Sequence, residues 1–167
     1  MIERVAKTAL VAAAAFFLSL VAWNNLVDYG SNHEFVRHVL SMDTTFPTNQ
    51  LKGRALVRPA IHHAFYAGII AWEALSAAWL WAASWRLWRA RSDGPAFRQA
   101  KPLAIAGLVF NLLLWFVAFL TVGGEWFLMW QSTVWNGQSA AFRMFACLGI
   151  ILLLLKTPEE DARAASA

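Results

Sequence analysis

Glu73 stands in the middle of an otherwise apolar stretch, Ala60–Trp85, and no other residue in this chain has a setting that so demands a chemical explanation. A charged side chain at the centre of a bilayer costs about 2.5–3.5 kcal/mol on insertion scales, so such groups are paired, neutral or functional. At 100° per residue, Tyr66 falls about 40° from His62, Glu73 about 20°, and Ser76 about 40° to the other side. His62, Tyr66, Glu73 and Ser76 therefore make one polar stripe on a helix. Ala67, Ala71, Ala74 and Ala78 lie roughly opposite, a small-residue ridge of the kind that lets helices approach closely. The spacing predicts a polar face turned to the interior of a bundle and a ridge packed on a neighbour. Asn111, in the middle of another apolar stretch, is the expected hydrogen-bond partner of Glu73. The pair is either a buried polar clamp or a site for a proton, a cation or a ligand.

A second polar group gathers at one end of the apolar stretches. Asn24, Asn25 and Asp28 follow the first, and His62 and His63 open the second. Glu125 and Trp126 follow the third. Trp130, Gln131, Asn136 and Gln138 precede the fourth, which contains Arg143. Arg143 lies one turn below that surface and requires a carboxylate or several carbonyls there. Glu125 and Asp28 are the candidates, as a structural ion pair or as part of an anion or head-group site.

Other chemistries find little support. His33, His38, His62 and His63 are the only histidines, and the adjacent His62 and His63 point about 100° apart on a helix. There is no Cys-x-x-Cys-His, so neither haem nor a metal is expected, and no cofactor at all. Cys147 is the only cysteine, which excludes an intramolecular disulfide and paired-thiol redox chemistry. No Gly-x-Ser-x-Gly elbow and no phosphate loop is present, so no enzymatic activity is expected. A net charge of +4 reflects cationic flanks beside anionic lipid rather than a nucleic-acid partner, because no basic patch with interleaved aromatics occurs in a soluble segment.

The elements that must position these residues are four apolar spans: Thr8–Val27, Ala60–Trp85, Leu103–Val122 and Ser139–Leu155. They predict an all-α membrane protein with four transmembrane helices in one bundle, over residues 1–156. Arg4 and Lys7 precede the first span, but no small-residue cleavage site follows it, so it reads as an uncleaved helix. Both flanks of the chain and the Arg86–Lys101 connection carry nine of the fourteen Lys and Arg residues. That asymmetry predicts cytoplasmic N- and C-termini. The long connection 28–59 contains Ser31-Asn32-His33-Glu34, a capping-box pattern, followed by an apolar face of Phe35, Val36, Val39 and Leu40. A short amphipathic helix, about Asn32–Met42, is expected there, on the periplasmic side. Asp93-Gly94-Pro95 reads as a turn, with Pro102 opening the third helix and Gly123-Gly124 ending it. The tail 157–167 reads as disordered.

Two blocks carry a family resemblance. Asn24-Asn25-Leu26 through Asp28-Tyr29-Gly30-Ser31-Asn32 and Phe35-Val36-Arg37-His38 through Thr45-Phe46-Pro47 form the first. Gly123-Gly124-Glu125-Trp126-Phe127, Met129-Trp130-Gln131-Ser132 and Trp135-Asn136-Gly137-Gln138 through Arg143 form the second. These strings resemble a bacterial family of predicted small integral membrane proteins of unknown function. The resemblance implies a four-helix protein of the inner membrane and names no substrate. All its strings fall on the side of the polar cluster, so a site is expected to face the periplasm.

Two functions fit. The first is a non-enzymatic accessory or scaffold subunit that contacts a membrane-protein partner, a second copy or lipid head groups through the cap formed by Asn32–Met42 and Glu125–Gln138. The second is a protein that binds or transports a small molecule, a lipid or quinone, or protons, at a site running from Arg143 and Glu125 to Glu73 and Asn111.

Overall fold

The computed structural model describes residues 1–159, and every regular element among them is helical, with no strand. Helix α1 spans Ile2–Val27 and α2 spans Tyr29–Ser41. Helix α3 runs over Pro59–Arg89. Helix α4 covers Gly94–Leu113 and continues without a break as a π-helix, Leu114–Trp126. Helix α5 is Gln138–Lys156. Three of these are long and apolar enough to cross a membrane: α1, α4 with its π continuation, and α5. With 31 residues, α3 is also long enough, but Glu73, two histidines and five tryptophans lower its hydropathy.

The helices start and stop for local reasons that differ in places from expectation. Asp93 caps α4, its carboxylate accepting from Ala96 N (3.3 Å), and Pro95 occupies the first turn, where a missing N–H is harmless. Pro102 therefore lies inside α4, not at its start. Gly123-Gly124 does not end the third span. The backbone there has widened to i−5 spacing, as in Phe127 N donating to Val122 O (2.9 Å). Helix α2 begins three residues earlier than expected, with Asp28 as the preceding residue and no side-chain cap. The Ser31–Glu34 capping box does not form. Glu34 instead takes Arg37 at 2.7 Å.

Helices α1 and α3 are antiparallel neighbours. Arg4 Nη1 donates to Arg91 O (2.9 Å) at one end, and Trp81 Nε1 donates to Ser19 Oγ (3.1 Å) further along. Helix α4 lies against α3, where the indoles of Trp79 and Trp72 donate to Leu103 O and Phe110 O, both at 3.0 Å. A Cβ on Gly107 would come within 2.9 Å of Leu80, so glycine is what permits this approach. The main core joins α1, α3, α4 and α5 through buried residues such as Leu18, Leu80, Leu108 and Leu148. A second core, at the end where α2 lies, joins Val36, Val39 and Leu40 to Tyr66, Ile70, Phe127 and Met129.

The two ends of the bundle are thus distinct. One, the termini end, carries the start of α1 and the end of α5. The other, the loop end, carries α2 and the connections 42–58 and 127–137. The tail was expected to be disordered from Thr157 onward. Thr157 and Glu159 are instead held by Lys7 and Lys101 at the termini end. Residues 160–167 of that expectation lie outside the described residues.

Candidate functional site

The polar stripe of α3 faces inward as its spacing predicts: His62, Tyr66, Glu73 and Ser76 are all buried. The alanine ridge does not pack within the chain, because Ala67, Ala71, Ala74 and Ala78 are exposed. Glu73 lies midway along α3 but not midway along the bundle. It stands about 24 Å from Arg89 at 1.5 Å per residue, level with the last turn of α1. Helix α3 overshoots α1, and α2 packs on the overshoot.

Asn25, in that last turn, is the hub of the site. Its side-chain amide donates to Glu73 Oε2 (2.7 Å), and its side-chain oxygen accepts from Asn32 Nδ2 of α2 (2.7 Å). Its backbone carbonyl, one of those a helix C-terminus leaves unpaired, accepts from the Tyr66 hydroxyl (3.1 Å). A continuous chain Asn32–Asn25–Glu73 results, made of neutral groups apart from the carboxyl itself. The other Glu73 oxygen makes no hydrogen bond among the described residues. Asn25, Asn32, Tyr66 and Glu73 together line a cavity of ≈ 250 Å³, whose remaining wall is apolar: Val36, Ile69, Trp115, Phe119 and Ala141. Phe35 closes one side against Gly137, where a Cβ would come within 2.8 Å of the Phe35 ring.

The cavity adjoins an apolar groove of ≈ 270 Å³ between α2, α3 and the π-helix. Phe35, Val36, Ile69 and Phe119 line both spaces, and Val39, Trp72 and Val122 continue the groove. The π-helix matters here. Its wider turn re-aims the side chains of Val117–Gly123, and such insertions recur at functional sites. Two non-glycine residues near the groove, Met42 (φ 51°) and Leu128 (φ 55°), hold left-handed backbone. Each costs roughly 1–2 kcal/mol, which the surrounding packing must offset.

The expected Glu73–Asn111 bond is not made. Asn111 Oδ1 accepts from Trp115 Nε1 (2.9 Å), so Asn111 braces a cavity wall one turn away, and its buried Nδ2 has no partner among the described residues. The expected ion pair of Arg143 is also absent. Arg143, Glu125 and Asp28 are all exposed, and Arg143 makes no ion pair among the described residues. The cause is rotational: Ala141 and Leu148 face the core, which turns Arg143 outward on α5. His62 is buried but outside the cavity, its Nε2 donating to Leu56 O (2.6 Å).

The rest of the loop-end cluster folds onto the connection 42–58. Arg54 lies 4.4 Å over the Trp126 ring and donates to Trp126 O (3.3 Å). Trp130 meets Phe46 edge-on, and Gln131 Oε1 accepts from Phe46 N (3.1 Å). Asn136 Oδ1 accepts from Gln138 N (3.1 Å) at the start of α5. Asn24 contributes only its carbonyl, to Asp28 N (2.9 Å). Beside the cavity, His33 and His63 stack with centroids 4.2 Å apart, and Tyr29 bonds His63 Nδ1 at 2.9 Å. Burial, and next the proximity of His63, hold His33 below the ordinary histidine range. No three His, Cys, Asp or Glu side chains among the described residues form a metal-binding group.

Sequence reasoning thus found Asn25, Tyr66 and Glu73. It missed Asn32, Trp115 and Phe119, although Asn32 sits in a quoted family-like string.

Residues 3–158 match the family described as predicted small integral membrane protein (DUF2165). The chain belongs to this family. It is accordingly an integral membrane protein. No curated protein and no solved structure matches it. The family match covers α1 to α5 and every residue of the cavity.

Proposed function

We propose that this family member is a non-enzymatic binding protein for a membrane amphiphile, a lipid or quinone whose polar head hydrogen-bonds to Glu73, Asn25, Asn32 and Tyr66. The apolar part of the ligand lies in the groove between α2, α3 and the π-helix. One observation carries this reading: a buried carboxyl with an unused oxygen lines a cavity that adjoins an apolar groove through shared walls. Sites of this type are mostly apolar with a few convergent polar groups. The proposal includes insertion as four spans, α3 being the fourth, in a bacterial inner membrane with the termini end cytoplasmic. Reporter fusions at Pro95 are expected to read cytoplasm and those at Thr48 periplasm. The reverse result would place the cavity in the opposite leaflet.

The test of binding is native mass spectrometry of the protein purified in mild detergent. Wild type should carry one amphiphile per chain, and Ala140→Phe, which fills the cavity from α5, should carry none. Equal ligand content in the two would remove the reading.

A second reading, an accessory subunit or homo-oligomer, draws on a different observation. Ala67, Ala71, Ala74 and Ala78 leave an open ridge on α3, suited to close approach by another helix. The cap 125–138 supports it less, since Trp126, Trp130, Gln131 and Asn136 are engaged within the chain. Detergent-resistant oligomers lost in Ala71→Leu/Ala78→Leu would favour this reading.

A further inference from the structure

At the termini end, Lys7 of α1 and Lys101 of α4 are both buried and converge on the residues after α5. Lys7 Nζ donates to Thr157 O (2.6 Å) and Glu159 Oε1 (2.9 Å). Lys101 Nζ donates to Thr157 O (3.0 Å) and pairs with Glu159 Oε1 at 2.5 Å. Both ammoniums therefore share a single carboxylate oxygen. The other, Oε2, is buried and has no hydrogen-bond partner among the described residues. Each ammonium has three N–H groups, of which these contacts use two. The acidic side chain fits the site poorly: one oxygen is overused, one is idle, and two buried cations face one anion. Alongside lies a cavity of ≈ 410 Å³ lined by Arg98, Lys101, Lys156, Pro158 and Glu159, with Arg98 and Lys156 exposed at its rim.

We infer that this twin-lysine pocket is a binding site for a phosphate group, with Glu159 as a displaceable plug. A phosphate offers several acceptor oxygens on one centre, so each lysine takes its own, and Arg98 and Lys156 reach the remainder from the rim. Anionic phosphate in place of the carboxylate removes the shared oxygen and frees the segment that follows α5. The phosphate belongs either to an anionic lipid headgroup or to a free anion, and the chemistry of recognition is the same for both.

The experiment uses the full chain in detergent micelles containing phosphatidylglycerol and phosphatidylcholine, with retained lipid counted by native mass spectrometry. Glu159→Gln should retain phosphatidylglycerol over phosphatidylcholine about tenfold better than wild type. In parallel, inorganic phosphate is compared with chloride at equal ionic strength for its effect on the thermal midpoint of Glu159→Gln. Phosphatidylglycerol preference identifies a lipid headgroup, and stabilisation by phosphate alone identifies a free anion. Either result supports the site, and absence of both overturns it. Should Glu159→Gln fail to fold, Arg98→Gln/Lys156→Gln changes only exposed side chains. It should lower either phosphatidylglycerol retention or the stabilisation by inorganic phosphate severalfold in the otherwise intact chain, and no change in both would overturn the inference.

Discussion

Glu73 and Glu159 are each about 2% exposed, yet Glu73 bonds only to the amide of Asn25 whereas Glu159 sits between the ammoniums of Lys7 and Lys101. The termini end solves burial of an acid by charge pairing and uses it to tie α1, α4 and the segment after α5 together. The loop end solves it with neutral hydrogen-bond partners and leaves one carboxyl oxygen beside open space. A paired charge is architecture that a rival anion can replace. A carboxyl with a spare oxygen and a cavity is a place for a ligand. The contrast also separates two consequences of mutation, loss of stability at one end and loss of binding at the other.

Glu159→Ala should have the largest effect. It strands two buried lysines, and breaking a buried pair in this way costs about 3–5 kcal/mol. Thermal unfolding in phosphatidylcholine micelles should show it, and an unchanged midpoint would mean that the clasp holds nothing. At the loop end, Glu73→Leu leaves the Asn25 amide without its acceptor, a loss of about 1–3 kcal/mol. Glu73→Gln keeps an acceptor for Asn25 and should unfold within about 1 kcal/mol of wild type. If Gln costs as much as Leu, the carboxyl is doing more than accepting one bond.

Acid should distinguish the ends as well. Burial alone raises the Glu159 carboxyl, but hydrogen bonds from Lys101 and Lys7 outweigh it and hold the folded-state pKa below the ordinary 4.5. Its contribution is therefore complete above pH 4.5 and is lost as the pH falls through the lower, folded value. The thermal midpoint of wild type should drop over that acid range, and Glu159→Gln should flatten the drop. The smallest effect is expected at Arg143. Exposed and unpaired, it should tolerate Leu within about 0.5 kcal/mol. A loss of several kcal/mol would restore the buried ion pair that its sequence position suggested.

Periodicity made the long helices and the inward face of α3 legible, because burial of a helix face leaves a 3.6-residue record. It did not reveal which carboxyl meets which amide. Glu73 and Asn111 each lie midway along their helices, but α3 overshoots α1, and that offset brings Asn25 to Glu73 in place of Asn111. Arg143 was misjudged for a related reason: a position along a helix sets depth, while the packing of Ala141 and Leu148 sets direction. The π-helix escaped because a search at 3.6 residues per turn passes over i−5 spacing. Glu159 escaped because a proline, charges and small residues resemble a disordered tail until two lysines from distant helices are seen to meet it.

Photolabelling most directly tests the claim that the loop-end cavity holds an amphiphile. Membranes containing the protein would be irradiated with a diazirine-bearing quinone or lipid, and the labelled peptides mapped by mass spectrometry. Labels concentrated on Asn32–Val36 and Trp115–Phe119, and reduced in Ala140→Phe, are the predicted result. Labels spread along the lipid-facing side of α5, from Phe142 to Leu154, and unchanged by that substitution would contradict the account.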